Sequence, residues 1–249
     1  MAFSIKQHIP NTITSLNLLC GVIATLCAFE GLFQLAALFI IAGAAFDFFD
    51  GFVARALGVS GPMGKELDSL ADNISFGLAP AALYSTYMRF LLTGDLNFPL
   101  EKMEGWQIAT VAAPLMLAVF AGLRLAKFNI DTRQTESFLG LTTTATGLFT
   151  ASLFWMLPEN IDTFTQILNP TSTLILITVF CALLISEIPM FSLKVKHFSW
   201  AGNELRVVLL VVGILSIIFL GIGGISLTIL LYTLFSILRA LFASKKKTV

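Results

Sequence analysis

The chain has 249 residues, of which 57% are hydrophobic and only 12% are charged, with 15 basic and 15 acidic side chains. A typical soluble domain is about 45–50% apolar and about 25% charged, so this chain has too little charge to cover a water-facing surface of its size. The composition excludes an ordinary soluble globule, a basic nucleic-acid-binding protein and a disordered chain. It predicts an all-α integral membrane protein.

Eight apolar segments are candidates for membrane-spanning helices, each of which needs about 20 mostly apolar residues. Turns rich in glycine, proline or polar residues separate them, and no long soluble segment lies between them. The expected spans are residues 13–29, 32–54, 67–92, 106–127, 141–157, 171–189, 205–220 and 223–242. These segments predict a single polytopic domain over residues 1–249 with about eight transmembrane helices. The fifth segment is short and the last two are joined tightly, so six or seven spans are alternatives.

The distribution of lysine and arginine predicts the orientation of these spans. With eight spans and both termini in the cytoplasm, every lysine and arginine except Arg89 and Lys102 falls on the cytoplasmic side. This is the bias that the positive-inside rule describes. Acidic residues such as Glu30 and Asp95 then fall outside. We therefore expect a multi-pass protein of the inner (cytoplasmic) membrane.

Four aspartates interrupt the apolar pattern where the second span ends and the third begins. Ionisable side chains in a spanning segment are costly and indicate function. Asp47 and Asp50 are three residues apart, and Asp68 and Asp72 are four apart, so each pair shares one helix face. The connection around Pro62 is short. We therefore expect two adjacent antiparallel helices whose carboxylate faces meet.

Converging carboxylates need a cation, because like charges at close range oppose each other's ionisation. Oxygen ligands with no nearby cysteine or histidine favour Mg²⁺ or Mn²⁺, and two such ions can clamp a phosphoryl group during displacement. Gly51 and Gly64 leave room for a nucleotide diphosphate beside the metals. Two alternatives remain open: helix-end aspartates that face water, and a cation-coupled transporter, which usually places its carboxylates near the bilayer midplane.

At these residues the sequence resembles the CDP-alcohol phosphatidyltransferase family, whose signature is D-x2-D-G-x2-A-R-x8-9-G-x3-D-x3-D. Residues 47–72 match every fixed position of this signature. The matching residues are Asp47, Asp50, Gly51, Ala54, Arg55, Gly64, Asp68 and Asp72.

The resemblance implies a homodimer built on a six-helix core, here roughly residues 10–190, with two extra helices over roughly 205–242. It implies transfer of a phosphatidyl-type group from a CDP-linked donor to an alcohol at the cytoplasmic membrane edge, with release of CMP. Asp47, Asp50 and Asp68 are then metal ligands, and Asp72 is a metal-site residue and the general base. The implied nucleotide and diphosphate contacts are Gly51, Ala54, Arg55 and Gly64.

Three further segments, residues 10–21, 123–129 and 189–194, resemble the phosphatidylserine synthase branch of this family. Residues 138–145 lack two prolines of that branch's pattern. The resemblance implies CDP-diacylglycerol as the donor, held among membrane lipids, and L-serine as the acceptor. The same transfer to glycerol 3-phosphate or inositol phosphate is the alternative.

Polar residues outside the signature are candidates for binding the two substrates. The carboxylate of serine needs a cationic partner, and the end of the fourth span offers Arg124, Lys127, Asn129 and Arg133. Membrane topology and lipid contact are the alternative role for this set. In the first span Asn11, Thr14 and Asn17 are candidates for the nucleotide, with helix capping and interhelical hydrogen bonding as the alternative.

Overall fold

The computed structural model describes residues 5–59, 61–131, 138–190 and 203–245, and these ranges are almost entirely helical. The α-helices are α1 (Ile5–Phe29), α2 (Phe33–Leu57), α3 (Pro62–Asp72), α4 (Ala79–Thr93), α5 (Gly105–Ala112), α6 (Met116–Ile130), α7 (Thr143–Met156), α8 (Ile161–Ile167), α9 (Pro170–Ile185), α10 (Glu204–Leu220) and α11 (Gly224–Lys245). A π-helical segment, Asn73–Leu78, joins α3 to α4. Two short strands, β1 (Phe138–Leu139) and β2 (Pro189–Met190), pair in antiparallel orientation.

The predicted all-α membrane fold is confirmed. Each of the eight predicted spans corresponds to one helical rod, by which we mean a run of helical residues that can include more than one labelled helix. Within the described residues, four stretches are long and apolar enough to cross a membrane: His8–Phe29, Phe33–Leu57, Gly105–Ile130 and Glu204–Phe242. The pair α8–α9, bent by 71°, can supply a fifth. The number of rods that cross the membrane stays a prediction.

The last of these stretches contains two rods, because it folds back on itself. Its 39 residues would extend about 58 Å as one straight helix, roughly twice the hydrocarbon thickness of a bilayer. The chain reverses at Gly221, which has a positive φ of 58°. After the reversal, Gly224 lies directly against the backbone of Ser216. Helices α10 and α11 therefore form a tight hairpin.

Several boundaries differ from the sequence-based expectation: α3 begins at Pro62 and not at residue 67, and three further differences concern α1, α8 and α9. Helix α1 begins before residue 13 and includes Pro10. Pro10 lies about one turn after the described start of the helix, so its missing amide hydrogen removes only one backbone hydrogen bond near the helix end. Helix α8 occupies part of the expected turn at 158–170. Helix α9 stops at Ile185 because the following chain turns to pair with β1, and the Gly140 amide donates to the Ile188 carbonyl at 2.9 Å.

The helix directions bring the functional residues to one end of the bundle. Helix α1 packs against both α2 and α3, antiparallel to the first and parallel to the second. The rod α3–α4 lies antiparallel to α6, so Asn129 near the end of α6 reaches Ser69 in α3. The end of α2, the beginnings of α1 and α3, and the end of α6 therefore meet in one region.

The π-helical segment is fixed by close backbone approaches from two neighbouring helices. A Cβ atom on Gly21 would lie 2.7 Å from the Cα of Ser75, and a Cβ atom on Gly147 would lie 3.0 Å from the Cα of Phe76. Only glycine permits such contacts. The segment that directly follows Asp72 is thus held by α1 and α7.

Candidate metal centre and active site

Three aspartates from two helices form a compact acidic cluster. Carboxylate oxygens of Asp47, Asp50 and Asp68 all lie within 4.8 Å of one another. Asp50 is buried, and the other two are half-buried. The expectation that the carboxylate faces of α2 and α3 meet is therefore confirmed for these three residues.

Among the described residues no lysine or arginine forms an ion pair within 4.0 Å of the acidic cluster, and the charge of Arg55 acts on Asp50 from farther away. The one ion pair within 4.0 Å in those ranges, between Lys127 and Glu187, lies elsewhere. Converging carboxylates without a counter-charge repel each other, and a hard cation with oxygen ligands relieves that repulsion. The donor set consists of oxygen atoms alone, so Asp47, Asp50 and Asp68 fit a divalent cation of the Mg²⁺ type.

Helix α1 fixes one member of the cluster through Thr14. The Thr14 hydroxyl donates a 2.6 Å hydrogen bond to Oδ2 of Asp50, and both side chains are buried. A short bond to a charged acceptor is among the stronger hydrogen bonds in proteins. Asp50 is therefore held in one orientation within the cluster.

Asp72 lies outside the group of three and has a different partner. The Asn17 amide Nδ2 donates to Oδ1 of Asp72 at 3.4 Å. Asn17 is fully buried, and its backbone carbonyl accepts a 2.9 Å bond from the Ser75 hydroxyl. Its own Oδ1 has no hydrogen-bond partner within the described ranges. Asp72 is thus oriented at the edge of the acidic cluster.

The signature residues between the aspartates lie around the cluster. The exposed Arg55 folds back over Gly51, where a Cβ atom would approach its Nη1 to 3.2 Å. A Cβ atom on Gly64 would lie 3.2 Å from Oδ1 of Asn11. Ala54 is half-buried on the same helix. Contacts of these residues with a nucleotide stay a prediction.

A second polar group lies at the end of α6, around Arg124. This arginine is 7% exposed, its Nη1 donates a long 3.5 Å bond to the Thr143 hydroxyl, and its Nε has no hydrogen-bond partner in the described part of the chain. The guanidinium lies close enough to Asp72 for their charges to interact. A small pocket here is lined by Arg124, Lys127, Phe128, Leu139, Leu184 and Ser186.

The other predicted acceptor residues are distributed differently. The Asn129 amide donates to Ser69 at 2.9 Å, and its backbone carbonyl accepts a 2.8 Å bond from Lys65, so Asn129 joins α6 to α3. Lys127 pairs with Glu187 at 3.2 Å. Arg133 lies outside the described residues.

Sequence reasoning missed the partners of several site residues. Thr143 and Glu187 come from segments distant in the chain from Arg124 and Lys127, and no local spacing connects them. The one available signal was Glu187 itself, an acidic residue directly after a long apolar run.

A helical membrane protein with an acidic site at one end fits two classes, the membrane transporters and the membrane-bound transferases. The match to a family model decides between them. Residues 7–215 match the model for CDP-alcohol phosphatidyltransferases, and the chain belongs to this family. The protein is therefore a transferase of phospholipid biosynthesis.

Individual relatives are similar over large parts of this chain. A CDP-diacylglycerol–serine O-phosphatidyltransferase of Helicobacter pylori is 29% identical over 240 residues, 95% of this chain and 92% of the relative. An enzyme of the same name from Bacillus subtilis is 33% identical over 54% of this chain and 68% of the relative. An archaetidylserine synthase of Methanothermobacter thermautotrophicus is 34% identical over 53% of this chain and 52% of the relative.

Proposed function

We propose that the protein transfers a phosphatidyl group from CDP-diacylglycerol to L-serine, giving phosphatidylserine and CMP. The observation that carries the proposal is the convergence of Asp47, Asp50 and Asp68 within 4.8 Å, with no ion-paired lysine or arginine within 4.0 Å among the described residues. The three residues belong to a signature that matches in full. Relatives named for the serine reaction, one of them similar over 95% of this chain, support serine as the acceptor.

Asp47, Asp50 and Asp68 would hold a divalent metal, Mg²⁺ or Mn²⁺, in a site for two ions that Asp72 completes at its edge. When bound, the metal neutralises diphosphate charge and stabilises the leaving CMP. The exclusively oxygen donor set and the absence of a lysine or arginine within 4.0 Å in the described ranges support this assignment.

The transfer itself requires a base on the acceptor hydroxyl. Asp72 would take the proton while the serine Oγ attacks the phosphorus that bears diacylglycerol. The new bond joins serine Oγ to that phosphorus, and the bond to the bridging oxygen breaks, so CMP leaves with the electron pair. The orientation of Asp72 by Asn17, beside the acidic cluster, supports this role. Asp68, which lies in the cluster on the same face of the rod, aligns the phosphoryl group.

The CDP head group would lie against the signature residues between α1, α2 and α3. Glycines at 51 and 64 permit close approach of the diphosphate, and the exposed Arg55 supplies a charge-assisted bond to a phosphate. Further contacts are expected from Ala54, Asn11, Thr14 and Asn17. In the structure Thr14 and Asn17 also hold Asp50 and Asp72, so their contribution to nucleotide binding includes placing these carboxylates.

The serine carboxylate would bind at Arg124, whose buried guanidinium has an unpaired Nε in the described part of the chain. Asn129 and Arg133 are further expected contacts, and Lys127 would act through its ion pair with Glu187. A buried charged donor without a partner is costly, and a carboxylate ligand removes that cost. The interaction of Arg124 with Asp72 supports a position next to the proposed base.

We further propose that the protein is a homodimer of the inner (cytoplasmic) membrane, with the active site and both termini on the cytoplasmic side. The basic residues Arg55, Lys65, Arg124 and Lys127 lie at the end of the bundle that carries the acidic cluster. Glu30 and Asp95 lie at the opposite end. The positive-inside rule relates this asymmetry to a cytoplasmic site.

CMP release by the purified full-length protein tests the proposal. We expect release from CDP-diacylglycerol that requires both L-serine and Mg²⁺ or Mn²⁺, with phosphatidylserine as the lipid product. If CMP is released only with glycerol 3-phosphate or only with inositol phosphate, that compound and not serine is the acceptor. Cation flux into liposomes without CMP release under any acceptor would favour the transporter alternative and overturn the proposal.

A further inference from the structure

We infer that the ion pair between Lys127 and Glu187 makes the acceptor pocket selective for a zwitterionic amino acid over a phosphorylated alcohol. The inference rests on the proposed function, because it concerns which acceptor the same site admits. It assigns a specificity role to Glu187, which lies between α9 and β2.

Two cations line the pocket, and in the described part of the chain Lys127 has an ion pair within 4.0 Å whereas Arg124 has none. The Lys127 ammonium lies 3.2 Å from Oε1 of Glu187, so its charge is balanced within the protein. The Arg124 guanidinium is buried, and within the described ranges it has one long bond, to Thr143, and an unpaired Nε. The remaining lining residues, Phe128, Leu139, Leu184 and Ser186, carry no charge.

A single guanidinium without an ion pair matches a carboxylate better than a phosphate monoester. A phosphate monoester carries about −1.5 to −2 charges at neutral pH, which one guanidinium does not neutralise. An amino acid carries one carboxylate, which Arg124 can bind, and one ammonium, which needs an acidic neighbour. Glu187 supplies that neighbour next to the lining residue Ser186, and its negative charge disfavours a phosphate at the same place.

The change of Glu187 to glutamine removes the negative charge and keeps the size of the side chain. We expect the KM for serine to rise roughly threefold to tenfold, a modest effect because the pair is partly exposed to water. We expect the inhibition constant of glycerol 3-phosphate against serine-dependent CMP release to fall by a similar factor. Glu66→Gln, an exposed residue of α3 at the same end of the bundle, makes the same charge change and should alter neither constant.

A second measurement uses the unchanged protein and does not depend on the folding of a variant. L-Alanine retains the ammonium and carboxylate of serine, whereas propionate retains the carboxylate alone. We expect alanine to inhibit serine-dependent CMP release at least about threefold more strongly than propionate, and Glu187→Gln should reduce this difference. Equal inhibition by the two compounds contradicts the inference.

The outcomes separate this inference from the proposed function. If the unchanged protein releases no CMP with serine, the proposed function is wrong and the inference is overturned with it. If serine-dependent release is present but Glu187→Gln behaves like Glu66→Gln, the inference alone is overturned.

Discussion

The hydroxyl of Thr14 donates to Oδ2 of Asp50 across the interface between α1 and α2 at 2.6 Å. Both residues are buried, so water does not compete for this bond. The contact makes the first helix of the chain a structural part of the acidic cluster that the next two helices form. Metal binding should therefore depend on a residue outside the family signature.

The change of Thr14 to valine should weaken metal binding while it preserves the shape of the interface. The lost bond to a charged acceptor is worth about 1.5–3 kcal/mol, so we expect the Mg²⁺ concentration for half-maximal activity to rise about tenfold or more. Thr14→Ser keeps the hydroxyl and should stay within about threefold of the unchanged protein. Equal metal dependence in all three proteins would show that this bond does not orient Asp50.

The change of Asp68 to asparagine should abolish transfer and the response to metal together. In the unchanged protein we expect Mn²⁺ or Mg²⁺ to raise the thermal unfolding temperature in detergent and EDTA to reverse the rise, because ligands that bind the folded state stabilise it. Asp68→Asn should lose this rise, since one of three converging ligands is gone. Asp162→Asn, at an exposed position of α8, should retain it.

The change of Asp72 to asparagine should separate chemistry from metal binding. Asp72 lies outside the group of three carboxylates, so we expect most of the metal-dependent stabilisation to persist. Loss of a general base should lower kcat by about 10²–10⁴-fold. Retained turnover in Asp72→Asn would remove the residue from the base role.

The change of Arg124 to lysine should affect serine and spare the lipid donor. A lysine keeps the charge but loses the planar fork that binds a carboxylate through two bonds. We expect the KM for serine to rise about tenfold or more, with the KM for CDP-diacylglycerol within about twofold of the unchanged protein. A parallel rise in both constants would indicate a general structural role for this arginine.

The change of Gly21 to alanine should destabilise the fold near the site. The new methyl group would lie 2.7 Å from the Cα of Ser75, and overpacking of this kind costs about 1–3 kcal/mol. We expect a lower thermal unfolding temperature in detergent. Gly105→Ala, where nothing lies within 4 Å of the new atom, should leave the temperature unchanged or slightly higher.

The sequence allowed the helical membrane fold and the acidic cluster to be predicted, because both depend on local patterns. Apolar runs define the rods, and the spacing of Asp47, Asp50 and Asp68 places each on a defined helix face. The bond of Thr14 to Asp50 and that of Asn17 to Asp72 depend on how α1 packs against two other helices. Local spacing carries no information about such packing, so these partners could not be predicted.

In the acceptor pocket, too, some residues could be predicted from the sequence and their partners could not. Arg124 and Lys127 were recognised as cations at the end of a span. Their partners, Thr143 and Glu187, lie in later parts of the chain that reach the pocket only through the turn into β1 and the end of α9. The charge balance of the pocket is therefore a property of the tertiary structure.

The π-helical segment after Asp72 sets how far α3, which carries Asp68 and Asp72, is rotated about the helix axis relative to α4, which packs in the core. One residue advances an α-helix by about 100°, so deletion of a single residue within Asn73–Leu78 would restore regular helix and rotate Asp68 and Asp72 by that angle relative to buried Tyr84 and Tyr87. Either the acids would turn away from α2 or the tyrosines would leave the core. The extra residue thus lets one continuous helix point its acids toward α2 and its tyrosines into the core, which an uninterrupted α-helix could not do.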